Sequence, residues 1–221
     1  MEEFDFEPVE ILVANAVKKH LFPCAALSVA LDGVILYRCW YGAKTYAPWI
    51  GKIGSDAVFD LASLTKPLVT AISFMLLTDN GVLDLNEKIP AFFEQVPGDK
   101  ADISIKHLLS HASGICAHES FYHGKYASEL AAHANRIDLA CRLILAMPLA
   151  VRPGTRNIYS DLGYILLGHI IEKITGQAPF DFAMQEVFKP LGIEGFFWSE
   201  DPALSWKQVV PSGFCQTRNR C

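Results

Sequence analysis

Residues 60–77, DLASLTKPLVTAISFMLL, put Ser63 three positions ahead of Lys66, where an apolar helix begins. Leu68, Ile72, Met75 and Leu76 recur at helical spacing and Asn80-Gly81 supplies a stop, so the stretch predicts a helix running to about Thr78. Side chains three apart share a helix face, which brings the lysine amine within hydrogen-bond reach of the serine hydroxyl. The first turn also offers free N–H groups and the positive end of the helix dipole, both suited to a developing oxyanion. Pro67 is tolerated near the first turn, where it sacrifices at most one backbone bond. Two readings of Ser63 stand side by side: a nucleophile with a neighbouring base, or a hydroxyl that caps a helix beside a solvated lysine. With 13 Ser and 12 Lys among 221 residues, chance alone gives roughly 0.7 such spacings, so context must decide.

Before this stretch, Val9, Val13, Ala16 and Val17 describe an amphipathic helix from about 7 to 21, stopped by Pro23. CAALSVALDGVILYRCWYG (24–42) is two apolar runs joined by Asp32-Gly33, a pair favoured in two-residue type I′ turns, and predicts a β-hairpin. Its near-continuous apolarity predicts cover on both faces. After the stretch the pattern turns helical over 104–111, 128–146, 160–175 and 180–188. In 160–175, Leu162, Leu166, Ile170 and Ile174 line one face while Ile165, Leu167 and Ile171 lie elsewhere, so this helix is expected to be buried on most sides. Only two strands are evident, and an isolated hairpin is marginal in water, so something is expected to complete the sheet. VVPSGF, near residue 210, reads as a further strand or a loop.

Composition narrows the partners. The net charge of -5 and the absence of a Lys/Arg run leave no electrostatic footprint for nucleic acid or an anionic membrane, and neither is expected as a partner. No apolar run approaches the ~20 residues that a membrane span needs. MEEFDFEPVE carries four Glu and one Asp, unlike the basic start of an export signal, so a cytoplasmic location is expected. Six cysteines (24, 39, 116, 141, 215 and 221) are scattered without C-x-x-C pairing and read as free thiols. His107 and His111 stand four apart, but Leu108 occupies the place of the glutamate a zinc protease would use, so they read as structural or surface residues. His118, His123 and His133 lie in a polar region and receive no role from the pattern. Neither a G-x-S-x-G elbow, a phosphate-cradling loop nor a dinucleotide fingerprint is present. The chemistry foreseen requires no cofactor and no metal.

A second signal is NIYSDLGYILLGHII (157–171), in which Tyr159 and Asp161 immediately precede the buried helix. A tyrosine so placed is commonly an amphipathic core-edge residue. A phenol beside an ammonium is also chemically apt, because the cation favours phenolate and phenolate can accept a serine proton.

Taken together, FDLASLTKP, ISIKHLLSHASGI (103–115) and YSDLGYILLGHIIEKITG resemble, in order, three elements of the serine β-lactamase and penicillin-binding-protein-like superfamily, especially its class C β-lactamase and esterase branch. The resemblance covers about residues 8–221. It implies an α/β fold of the α+β kind, an antiparallel sheet flanked by helices plus an all-helical region, here as one domain over 1–221: helix and hairpin in 1–60, and a mainly helical region in 61–200 carrying both motifs. It also implies that Ser63 accepts the acyl group, that Lys66 and Tyr159 share its proton transfers, and that the Ser63 N–H supplies half of an oxyanion hole. The expected substrate is a small-molecule ester, amide or peptide. Asp161 would bind substrate, but it stands where many members have Asn; an ionised Asp only accepts hydrogen bonds, and its charge favours protonated Lys66. The third family element, K-T-G or H-x-G on a strand, has no match beyond Tyr159, and Lys52-Ile53-Gly54 precedes the nucleophile. The chain therefore resembles the N-terminal two-thirds of a member, with C-terminal sheet strands missing. A further segment or a second chain is expected to complete the sheet and the site. A non-catalytic binding remnant of the fold and a metal-dependent hydrolase using the histidines are the rival readings.

Overall fold

The computed structural model describes residues 4–44, 51–121, 124–196, 201, 204, 205 and 208–210, and these fall into two compact units, one built from 1–61 with 197–221 and one from 62–196. In the first, α1 (Glu7–Lys18) precedes strands β1 (Cys24–Leu31) and β2 (Val34–Gly42), which pair antiparallel from Cys24↔Gly42 to Leu31↔Val34. Asp32 and Gly33 both have positive φ, 50° and 79°, which a type I′ turn requires. The register slips beyond Val29↔Tyr37, where Leu36 is the extra residue of a bulge.

Helix α1 packs with Glu10, Val13, Ala16 and Val17 partly covered, while Val9, Ile11 and Leu12 are exposed. The Tyr37 hydroxyl donates to Glu10 Oε1 at 2.6 Å, and the Phe6 ring stacks on Tyr37 with centroids 4.6 Å apart. Gly42 closes the corner because a Cβ there would sit 2.2 Å from the Pro23 carbonyl oxygen. The expectation of cover on both hairpin faces does not hold among the described residues. Leu27, Val29, Tyr37, Cys39 and Tyr41 form a half-buried face, whereas Trp40, Arg38 and the turn-proximal Leu31, Val34 and Ile35 are exposed. Burial therefore alternates along both strands, as in a sheet covered on one side. A short parallel pair, β3 (Val58–Phe59) with β4 (Val209–Val210), accompanies the hairpin, and Cys24, Ile53 and Val210 form a small core.

The second unit is helical. It comprises α2 (Ile72–Asp79), α3 (Ile105–Leu109), α4 (Gly124–Ala132), α5 (Arg136–Ala146), α6 (Asp161–Thr175) and α7 (Pro179–Ala183). α6 is its axis. Ser160 caps it by accepting from the Gly163 N–H at 3.1 Å, Asp161 adds negative charge at its positive end, and Gly176 ends it in the left-handed conformation at φ 71°. Leu162, Leu166, Leu167, Ile170 and Ile171 are at most 1% exposed and meet Phe74, Ile103, Ile105, Leu108 and Ile144 in one cluster. Each such side chain contributes about 1.5–3 kcal/mol of apolar burial.

Two sequence expectations need correction here. The helix foreseen over 128–146 breaks at 133–135, because Asn135 becomes the N-cap of α5 and accepts from the Asp138 N–H. The helix foreseen from Ser63 is a 3₁₀ turn (Ala62–Leu64), then a wide π turn (Lys66–Ala71), and only then α2, in which Met75 is 69% exposed while Phe74 and Leu77 are buried. No helix among the described residues is long and apolar enough to cross a membrane.

Candidate active site around Ser63

Ser63 lies on the 3₁₀ turn directly after Ala62, whose φ of 46° is left-handed without being glycine. Such a conformation costs about 1–2 kcal/mol and persists where surrounding structure imposes it. The π turn that follows starts at Lys66 and is anchored below by buried Val69, Thr70 and Ser73, with the Ser73 hydroxyl donating to the Val69 carbonyl at 2.6 Å. Ser63 is exposed, and the π turn that follows it, with Thr65 at its N-cap, has no side-chain cap hydrogen bond. The Ser63 hydroxyl faces Lys66 Nζ at 3.2 Å.

Lys66 also reaches across to the start of α6, where Nζ meets Asp161 Oδ1 at 2.7 Å. Burial of Lys66 pulls its pKa down, but the Asp161 carboxylate and the Tyr159 oxygen more than offset that, and the net result lies above the ordinary lysine value. The amine is an ammonium. Asp161 responds in the opposite sense: the Lys66 hydrogen bond holds its carboxyl below the usual carboxylate range.

Tyr159 completes the cluster. Hydrogen bonds from the Ser63 hydroxyl first, and from the Lys66 ammonium second, draw the phenol below its ordinary pKa. The residue as a whole is 54% exposed. The Lys66 Nζ stands 4.9 Å from the Tyr159 ring centroid and 5.6 Å from that of Tyr164. All four site residues foreseen in the sequence, Ser63, Lys66, Tyr159 and Asp161, thus stand together, from two segments about 95 positions apart.

Two histidines join them that sequence reasoning left without a role at this site. His111, at φ 58°, lies past the end of α3; its Nδ1 accepts from the Ser160 N–H at 3.0 Å and its carbonyl accepts from the Ile158 N–H at 2.8 Å. Its ring lies 4.4 Å from that of Tyr159 and 5.0 Å from that of Tyr164. Burial, then the Lys66 charge, hold its pKa below the ordinary value, so the ring is neutral and Nδ1 is free to accept. His111 is the platform on which Tyr159 rests. His118 Nδ1 lies 3.4 Å from Asp161 Oδ2. The signal available for both was the HASGICAH segment itself, whose contacts with 158–161 span over 40 positions.

Of the remaining histidines, buried His169 lies 3.4 Å from Glu172 Oε2, and two others bond to backbone. His107 Nδ1 accepts from the Ser104 N–H in the capping box of α3, and His133 bonds within the 133–135 break. His123 lies outside the described residues. Among the described residues no group of three or more His, Cys, Asp or Glu is arranged to hold a metal ion. Cys24, Cys39, Cys116 and Cys141 are free thiols, and burial, with the Asp138 charge, pushes Cys141 up to about 12; Cys215 and Cys221 lie outside the described residues. Lys52 of the Lys-Ile-Gly triplet forms an isolated bridge with Ala43 in the other unit.

Comparison with known proteins gives this arrangement a context. The family model described as Beta-lactamase matches residues 9–206. An N-acetylmuramyl-L-alanine amidase of Bacillus subtilis is 35% identical over 188 residues, covering 78% of this chain and 42% of the amidase. The chain therefore spans less than half the length of that relative. Among solved structures, the octameric penicillin-binding protein homologue from Pyrococcus abyssi superposes with a TM-score of 0.77 at 23% identity, covering 94% of this chain and 47% of that one. The D-amino acid amidase from Ochrobactrum anthropi SV3 superposes at 0.76 and 20% identity, covering 96% and 61%. These likenesses make the fold β-lactamase-like, a mixed α/β architecture with a small antiparallel sheet. By the extent of the family match and the order of its elements, this chain belongs to the beta-lactamase family.

Proposed function

We propose that the chain carries the nucleophilic half of a serine hydrolase that cleaves an ester or amide through an acyl-enzyme on Ser63. One observation carries the reading: Lys66 Nζ lies within 3.2 Å of Ser63 Oγ and 2.7 Å of Asp161 Oδ1, beside a phenol whose pKa is drawn down. An ammonium held by a carboxylate cannot take the serine proton. It can stabilise a phenolate, and the phenolate accepts from Ser63. Tyr159 is therefore the base and Lys66 its electrostatic support, a division of the shared proton work foreseen for the pair. Ser63 Oγ bonds to the carbonyl carbon as its proton passes to the Tyr159 oxygen. The tetrahedral oxyanion takes a hydrogen bond from the Ser63 N–H. As the carbon–leaving-group bond breaks, Tyr159 returns the proton to the departing oxygen or nitrogen, and water repeats the sequence in reverse to free the acid.

The name of the Bacillus subtilis relative supports an amide linked to a small amino acid as the substrate class, and Asp161, 44% exposed on its side chain, stands where substrate would meet the site. An intracellular ester or peptide is the alternative substrate. The uncovered hairpin face and the 42% coverage of that relative support a further sheet segment, in the same polypeptide or a second chain, as the partner that completes the site.

Pre-steady-state turnover of p-nitrophenyl acetate tests the chemistry. A stoichiometric nitrophenol burst, with an acetyl mass increment on the Ser63 peptide, is the expected result. Absence of both in wild-type protein would favour the non-catalytic remnant.

A further inference from the structure

Three consecutive residues of the 114–118 segment are stitched to the N-terminus of α6. The Cys116 carbonyl accepts from the Ser160 hydroxyl at 2.7 Å, the Ala117 carbonyl accepts from the Asp161 N–H at 2.9 Å, and His118 then reaches the Asp161 side chain at 3.4 Å. The far side of the segment is equally fixed. Gly114, at φ 77°, runs so close to the 148–151 loop that a Cβ would fall 2.1 Å from the Val151 carbonyl oxygen, and its own carbonyl accepts from the Ala150 N–H at 2.8 Å. An imidazole on so constrained a backbone is aimed, even though its side chain is 54% exposed.

Asp161 thus has a nitrogen near each oxygen: Lys66 Nζ donates to Oδ1 at 2.7 Å, and His118 Nδ1 lies 3.4 Å from Oδ2. A carboxylate about 44% exposed and held on one oxygen alone is free to rotate about its Cβ–Cγ bond and to turn toward water. Rotation about Cβ–Cγ only exchanges equivalent oxygens, but a turn about Cα–Cβ takes the anion away from Lys66 beside Ser63 and Tyr159.

We propose that His118 is a positioning residue for the serine chemistry, gripping the outer oxygen of Asp161 so that the inner oxygen stays on Lys66. This rests on the acyl-enzyme reading above. The contact of His118 with the site is through the Asp161 side chain. The other charged or titratable groups around the carboxylate are Lys66 from the π turn, Tyr159 and Tyr164 from the α6 segment and His111 from the end of α3. Among the described residues, none of these hydrogen-bonds Oδ2.

The test is the rate at which a fluorophosphonate labels Ser63 in the full chain, measured by peptide mass spectrometry for wild type, Ser63→Ala, His118→Ala, His118→Asn, Asp161→Asn and the double variant His118→Ala with Asp161→Asn. The asparagine amide nitrogen sits as many bonds from Cβ as histidine Nδ1 and donates to a carboxylate without carrying charge. His118→Ala is expected to slow labelling about three- to tenfold, the scale of a partly exposed hydrogen bond to a charged group, and His118→Asn to restore most of it. In the Asp161→Asn background the alanine change is expected to have no further effect. If His118→Ala matches wild type, if His118→Asn is as slow as His118→Ala, or if the two changes add, the positioning role is overturned while Ser63 labelling still stands. If wild type labels no faster than Ser63→Ala, the acyl-enzyme reading falls, and this role with it.

Discussion

Lys66 stands 2.7 Å from Asp161 and 3.2 Å from Ser63, and the shorter contact sets its charge. Asparagine at 161 would leave burial to lower the lysine pKa unopposed by a carboxylate; aspartate reverses the balance, and the proposed mechanism therefore assigns the base role to Tyr159. Tyr159→Phe is accordingly expected to cut Ser63 acylation by about 10²–10⁴-fold with no loss of fold, measured by burst kinetics alongside thermal unfolding. The ion pair also leaves a pH signature. The folded Asp161 carboxyl ionises below its usual value of 3.8, so its contribution to stability is present above 3.8 and is lost as pH falls through the lower, folded value. Both groups are partly solvated, so that contribution is about 0.2–1 kcal/mol. Urea unfolding of wild type and Asp161→Asn should show a gap of this size near pH 7 that closes below 3.8. At the residue scale two short motifs pointed to Ser63, Lys66, Tyr159 and Asp161, which the fold brings together. Ala62 was hidden, because a left-handed alanine carries no local pattern, and the role of His111 was hidden although its segment was visible, because its ring accepts from a backbone N–H 49 positions away.

At the scale of elements, α6 is what presents Tyr159 and Asp161, and its cap is the joint. The Ser160 hydroxyl accepts from the Gly163 N–H and donates to the Cys116 carbonyl while only 1% exposed. Ser160→Ala removes both bonds and leaves the buried Gly163 N–H and the part-buried Cys116 carbonyl without this partner, so a loss of about 1–3 kcal/mol in urea unfolding is expected, with slower Ser63 labelling. Gly114→Ala should be worse, about 3 kcal/mol or more, since the new Cβ meets backbone and the φ of 77° is strained for alanine. α6 was legible in the sequence because cap, apolar stripe and terminal Gly176 agree on one element. The break between α4 and α5 was not, since the apolar pattern runs on through it and only the capping preference of Asn135 decides the matter. Nor was the π turn at Lys66 legible, because an extra residue in a helical turn leaves the surrounding composition unchanged.

At the scale of the whole molecule, the two units differ in how their apolar surface is spent. The helical unit encloses a continuous core around α6, while the hairpin keeps Leu31, Val34 and Ile35 exposed. The sequence announced both strands and their turn correctly but overstated their cover, because alternation in burial is invisible when both faces are apolar. Val34→Thr with Ile35→Thr should cost little stability in urea unfolding, since these residues are half exposed or more. The central claim concerns Ser63. Peptide mapping after exposure to a fluorophosphonate probes it most directly: the account predicts a single adduct on the 60–77 segment at Ser63, absent in Ser63→Ala and strongly slowed in Tyr159→Phe. Adduct formation undiminished in Ser63→Ala, or equal rates in wild type and Tyr159→Phe, would contradict it.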